Sequence, residues 1–280
     1  MPMTNSAKPK VGIFSLTGCA GDQLVILNNE NVLLAIAEKT DILSFATAVS
    51  AALPPETTLD LALVEGSVCS LRDVEVLKDI RARSAMLMAI GTCAVWGGIP
   101  AMVNNIPIEQ LKTMVYGDSD VFPDASLSQP LSRFVPVDFA IPGCPIEITE
   151  LTDALGAILA GTEPKRIDYS VCSQCRMREN ICLAQSKGIV CCGPITAGGC
   201  NARCPSYNQP CQGCRGPVDD PGYDATARLF EDRVFTKKDI IDAIHRFTTP
   251  AWAEDKLTPE FAADPTRRGL RRKSVLEDKA

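Results

Sequence analysis

At 280 residues with 46% apolar side chains, the chain is long enough to bury a core, as one large domain or two small ones. A formal net charge of −6 and a pI near 5.0 argue against nucleic acid or an anionic membrane as the main partner. No apolar run approaches the roughly 18–20 residues of a membrane span. The opening MPMTNSAKPKVGIFSLTGC passes into a strand-like segment without an apolar signal core or a twin-arginine pair, so the expected location is the cytoplasm.

In chain order, VGIFSLT (11–17) reads as a buried strand, and DQLVILNNENVLLAIAEK (22–39) carries apolar residues at helical spacing. ILSFATAV (42–49), LDLALVEGSV (59–68), AMLMAIGTCAV (85–95) and FVPVDFAIPGC (134–144) read as further buried strands. SLRDVEVLKDIRARS (70–84) is predicted as an amphipathic helix with a Ser cap, and ITELTDALGAILAG (148–161) as another, stopped by Gly161 and Pro164. Strands alternating with helices predict βα units and a doubly wound parallel sheet over about 10–165. From 166 to 250 the expected unit is small and rich in cysteine, glycine and proline, with little regular structure. Within it TKKDIIDAIHRF (236–247) reads as a Thr-capped helix, whose His245 is the chain's lone histidine and an ordinary packing or surface residue. Residues 251–280 form a charged tail of mixed sign.

Thirteen cysteines in a reducing compartment point to metal or redox chemistry rather than disulfides, and an odd total fits a fully paired framework poorly. Cys19, Cys69, Cys93 and Cys144 are scattered over the first 150 residues, and nine more fall between Cys172 and Cys214. Cys19, Cys93 and Cys144 each sit at the predicted carboxyl end of a strand, each within two residues of a glycine. In an open α/β sheet those ends share one edge, where ligands bind, so cysteines 74 and 51 positions apart can converge. The alternative for each is a buried small hydrophobe.

The later cysteines run Cys172-x2-Cys175-x6-Cys182-x8-Cys191, then Cys200-x3-Cys204-x6-Cys211-x2-Cys214, two sets of four thiols in a segment that needs a metal staple. Four thiolates suit zinc or a [4Fe–4S] cluster. Each set has one tight pair and two cysteines farther away, which favours the larger cluster. Zinc also leaves the strand-end cysteines without a role.

SLTGCAG, VEGSV, IGTCAVWGGIP and IPGCP together resemble the flavodoxin-like half of [NiFe]-hydrogenase small subunits. DYSVCSQCRMRENICL, CCGPITAGGCNARCP and CQGCRG resemble the soluble, multisubunit, NAD(P)-linked type, the sulfhydrogenase delta subunits. The cluster-bearing subunit of respiratory complex I is a more distant likeness. The resemblance covers about 10–245 and implies three [4Fe–4S] clusters. It assigns a proximal cluster to Cys19, Cys93 and Cys144, a medial one to Cys200, Cys204, Cys211 and Cys214, and a distal one to Cys172, Cys175, Cys182 and Cys191. Cys192 is a spare. Where the family has CxxC at the proximal site, this chain has Cys19-Ala-Gly-Asp22. Either Asp22 is the fourth ligand, or Cys69 is, or the cluster is altered, and a helix N-cap is the structural alternative for Asp22.

The implied function is the electron-transfer subunit of a cytoplasmic [NiFe]-hydrogenase, with no catalytic residue of its own. It would relay electrons between the nickel–iron site of a large subunit and a flavin- and iron–sulfur-bearing diaphorase. Two other readings are a flavodoxin-like FMN carrier and a zinc-stapled interaction protein. The turn after the first strand lacks a Ser/Thr-rich phosphate loop and has Cys19 where a phosphate would sit, against the FMN reading.

Overall fold

The computed structural model describes residues 8–49, 53–117 and 124–219, together with 221, 226, 243, 246 and 247. The alternation expected from the sequence is present. Strand β1 (Lys10–Ser15) leads to helices α1 (Gly21–Leu27) and α2 (Glu30–Lys39), then to strands β2 (Asp41–Phe45), β3 (Leu59–Glu65) and β4 (Val68–Ser70). Next come α3 (Leu71–Arg83), β5 (Ser84–Ile90), α4 (Gly91–Trp96), α5 (Ile108–Tyr116), β6 (Ala125–Gln129), β7 (Phe139–Ile141) and α6 (Ile148–Leu159). Three short helices, α7 (Val171–Met177), α8 (Leu183–Lys187) and α9 (Arg203–Ser206), punctuate the cysteine-rich segment.

The main sheet has five strands in the order β2-β1-β3-β5-β7, and every pairing is parallel. Its register divides the core. Ile13, Leu63, Met88 and Phe139 pair in a row across four strands, and the next row is Phe14, Val64, Ala89 and Ala140. Because side chains alternate across a strand, the first row meets Ile26, Leu151 and Leu155 of α1 and α6, while the second meets Leu77 and Ile80 of α3. Each fully buried Leu or Ile in these layers is worth roughly 1.5–3 kcal/mol. Helices thus cover both faces, and the strands' carboxyl ends share one edge of the sheet.

Several boundaries differ from those read in the sequence. The segment 22–39 is two helices, broken at Asn28 and Asn29, where the Asn29 amide donates to the Val25 carbonyl at 2.7 Å and offers the backbone an alternative to continued helix. The strand expected over 85–95 stops at Ile90. Gly91 turns the chain at φ 82°, so Cys93 lies on α4. Of 134–144 only Phe139–Ile141 pairs in the sheet, because Pro136 has no N–H to donate and a 3-10 turn at Leu131–Arg133 precedes it. Strands β4 and β6 form a separate antiparallel pair. Helix α3 matches its expected span, with the Ser70 hydroxyl accepting from the Asp73 N–H at 3.1 Å. The expected helix over 236–247 lies outside the described residues except at 243, 246 and 247, and the expected tail over 251–280 lies outside them entirely.

Candidate metal centres

Three connections at the carboxyl edge of the sheet bring the scattered early cysteines together. Cys19 lies between β1 and α1, Cys93 on α4 after β5, and Cys144 after β7. Burial pushes the Cys93 thiol up to about 12, with Cys144, Asp22 and Cys19 adding to the rise. Cys144 is pushed up to about 11 by burial, then by Cys214, Asp22 and Cys19. Each of these two thiols thus feels the other groups of the set. Cys69, on β4, is not among them. Its sulfur lies 3.3 Å from the Ser67 hydroxyl, and its N–H donates to Asp73 at 2.9 Å.

Asp22 belongs to this group. Ala20, in the left-handed region, occupies the N-cap of α1, so Asp22 stands in the first turn and does not cap the helix. Its Oδ1 accepts the Ile146 N–H at 2.9 Å, two residues past Cys144. Its other oxygen rests against Gly91, where a Cβ would come within 1.8 Å of Oδ2. Burial raises this carboxyl from 3.8 to about 7; the Ile146 N–H opposes the rise and nearby Glu65 adds to it. Glu65, itself buried, accepts from the Gln23 N–H, the Gln23 amide and the Ser15 hydroxyl at 3.0–3.1 Å. The VEGS motif contains this glutamate, but its three donors come from other strands and helices and leave no local signature.

The distal candidates gather around Gly193. A Cβ there would lie 3.2 Å from the Cys172 sulfur and 3.5 Å from that of Cys191. Burial pushes Cys172 up to about 12, with Cys191, Cys175 and Cys182 adding to it and Arg176 opposing. The Cys191 sulfur accepts the Cys211 N–H at 3.3 Å.

Of the medial candidates, Cys200, Cys204 and Cys214 come together. Cys214 is raised by burial, lowered by the N–H of Cys144, and raised again by Cys200 and Cys204. Cys211 is buried, which lifts it well above the usual thiol range, and its thiol neighbours are Cys191 and Cys192. Cys192 is also buried, raised to about 12 by burial and then by Cys191. The three sets therefore form a row. Cys144 and Cys214 are neighbours where proximal meets medial, and the Cys211 N–H on the Cys191 sulfur joins medial to distal.

Thiols that disfavour one another's ionisation can become thiolates together only against cations. Yet among the described residues no group of three or more His, Cys, Asp or Glu side chains is arranged around a single metal ion. His245 lies outside the described residues. An apolar cleft of about 780 Å³ between α2 and α6, lined by strand-start residues such as Pro9, Asp60 and Ala85, contains none of the cysteines. Among the described residues no helix is long and apolar enough to cross a membrane.

The profile of the NADH ubiquinone oxidoreductase 20 Kd subunit family matches residues 19–158. The chain is 40% identical to the delta subunit of sulfhydrogenase 2 from Pyrococcus furiosus, over 82% of this chain and 97% of the relative. It is 31% identical to a subunit of the vhu F420-non-reducing hydrogenase from Methanocaldococcus jannaschii, over 86% of this chain and 95% of the relative. A chain of an NAD+-reducing [NiFe]-hydrogenase solved in the H2-reduced state superposes with a TM-score of 0.50 at 30% identity, covering 57% of this chain and 95% of that one.

Proposed function

Because this chain belongs to the NADH ubiquinone oxidoreductase 20 Kd subunit family, in company with subunits of sulfhydrogenase and F420-non-reducing hydrogenase, we propose that it is the iron–sulfur electron-relay subunit of a cytoplasmic [NiFe]-hydrogenase. The nickel–iron centre would lie on a large partner subunit. The observation that carries the reading is the row of three thiol sets, with Cys144 beside Cys214 at one junction and the Cys211 N–H on the Cys191 sulfur at the other. Three [4Fe–4S] clusters are assigned. The proximal one takes Cys19, Asp22, Cys93 and Cys144, the medial one Cys200, Cys204, Cys211 and Cys214, and the distal one Cys172, Cys175, Cys182 and Cys191. When bound, such clusters supply one-electron transfer.

The chain's own residues do the rest. The sheet edge and α7–α9 hold the thiolates in order, burial keeps water from most of them although Cys19, Cys144 and Cys182 are exposed, and the Cys211 N–H neutralises part of the Cys191 sulfur charge. Support for Asp22 over Cys69 as fourth proximal ligand is its nearness to Cys93 and Cys144. The units assigned are a flavodoxin-like domain over 10–165, a ferredoxin-like domain over 166–250 and a charged tail over 251–280. Likeness to an NAD+-reducing hydrogenase supports a flavin-bearing diaphorase as the electron partner.

Anaerobically purified protein should carry about twelve iron atoms per chain, four per cluster. Asp22→Ala should leave a three-iron or solvent-ligated proximal cluster by EPR, and Cys69→Ser should leave the spectrum intact. A count near eight would sink the proximal assignment, and stoichiometric zinc with little iron would sink the whole reading.

A further inference from the structure

Arg215 heads the fully buried side chains in size, at 1% exposure, and follows Cys214 directly. A guanidinium taken out of water survives only when its donors are met, and here they are met from three parts of the chain. Nε donates to the Gly198 carbonyl, and Nη1 donates to the Pro142 carbonyl at 2.7 Å. Nη2 lies 2.7 and 3.0 Å from the two oxygens of Glu150 on α6, whose side chain is 15% exposed. The space is made for this side chain, since a Cβ at Gly199 would come within 2.5 Å of Nη2. The backbone on either side is tied to α4, where the Trp96 indole donates to the Arg215 carbonyl at 3.2 Å and the Thr92 hydroxyl to the Cys214 carbonyl.

These contacts span the junction between two candidate centres. Pro142 lies two residues before Cys144, which neighbours the Cys214 thiol. The pair is asymmetric about that junction. The cation belongs to the residue next to Cys214 and favours its thiolate, whereas the balancing carboxylate is carried by α6 and is not among the groups acting on Cys214.

Resting on the cluster assignment above, we propose that Arg215 is a positioning residue for electron passage between the proximal and medial centres. It holds the Cys144–Cys214 contact in place, and as a fixed buried cation it raises the medial centre's potential. A nearby positive charge stabilises the form with the extra electron, more strongly where solvent is excluded. Arginine suits the task because its planar fork spreads donors over three nitrogens facing separate acceptors, whereas a lysine ammonium offers its donors from a single nitrogen.

The test is an EPR-monitored redox titration of the intact complex, comparing wild type with Arg215→Gln, Arg215→Lys and Glu150→Gln. Arg215→Gln should shift the proximal–medial electron equilibrium about tenfold toward the proximal side, a fall of about 59 mV for one electron. Glu150→Gln, removing the counter-charge, should shift it the opposite way. Arg215→Lys should keep most of the wild-type potential. A residue with only a packing role would move Arg215→Gln and Glu150→Gln together or not at all, and either outcome with full iron content would overturn the inference alone. If Arg215→Gln fails to assemble, the sign of the Glu150→Gln shift decides. A wild-type complex with no medial signal would overturn the cluster assignment and this inference with it.

Discussion

Gly91→Ala tests the packing that places Asp22 at the proximal site. Gly91 has φ 82°, and an alanine there pays roughly 1–2 kcal/mol for left-handed backbone. The added Cβ would also sit 1.8 Å from Oδ2 and 2.5 Å from Cγ of Asp22, far inside contact distance, so the carboxylate must swing away. Its bond from the Ile146 N–H is then lost, and leaving that buried donor unpaired costs about 1–3 kcal/mol more. The expected loss is about 2–5 kcal/mol, read as a lower urea midpoint for the cluster-free chain, with reduced iron in the anaerobic protein. A double-mutant cycle isolates the mechanism. In an Asp22→Ala background the obstruction is gone, so Gly91→Ala should cost only its backbone strain. Equal costs in both backgrounds, or a single mutant with wild-type midpoint and full iron, would refute the argument.

In the cluster-free protein Asp22 keeps its proton up to about pH 7, against 3.8 ordinarily. The native state then binds more protons than the unfolded chain between those values, so this group's stabilisation is complete below about pH 4 and is lost as pH rises through about 7, on the order of 4 kcal/mol in all. Asp22→Asn should flatten that fall in unfolding free energy, and an unchanged slope would show that another group is responsible. Removing the clusters should expose the segment from 170 to 219 to protease while far-UV circular dichroism of the sheet persists. The hydrophobic cluster in that segment consists of Val171, Ala184, Cys192, Ile195, Ala202 and Cys211, small beside the Leu, Ile and Phe layers of the sheet. Continued protease resistance would mean that the Arg215 contacts hold the segment without metal.

Local chemistry made much of the protein readable in advance. Helix α3 announces itself because a serine cap, a 3.6-residue apolar spacing and terminal arginines all lie within one short run from Ser70 to Ser84. Spacing groups the cysteines from Cys172 to Cys214 into two sets of four, because ligand spacing within a short loop restricts which thiols can meet, but in the fold Cys211 lies beside Cys191 and Cys192. Even Cys19, Cys93 and Cys144 could be grouped, since carboxyl ends of parallel strands share an edge whatever the strand order. The strand that gives way to α4 before Cys93 depends on neighbours the linear pattern does not contain, whereas the break in 22–39 is local, made by the Asn29 side chain on the Val25 carbonyl. The turn of Cys211 toward Cys191 and Cys192 is likewise a matter of which buried surface it meets. Arg215 is the clearest case. In the sequence it is one charged residue after a cysteine, and charged residues ordinarily face water. Its burial was decided by Glu150, Pro142 and Gly198, from 17 to 73 positions away, which only the folded chain brings to one point.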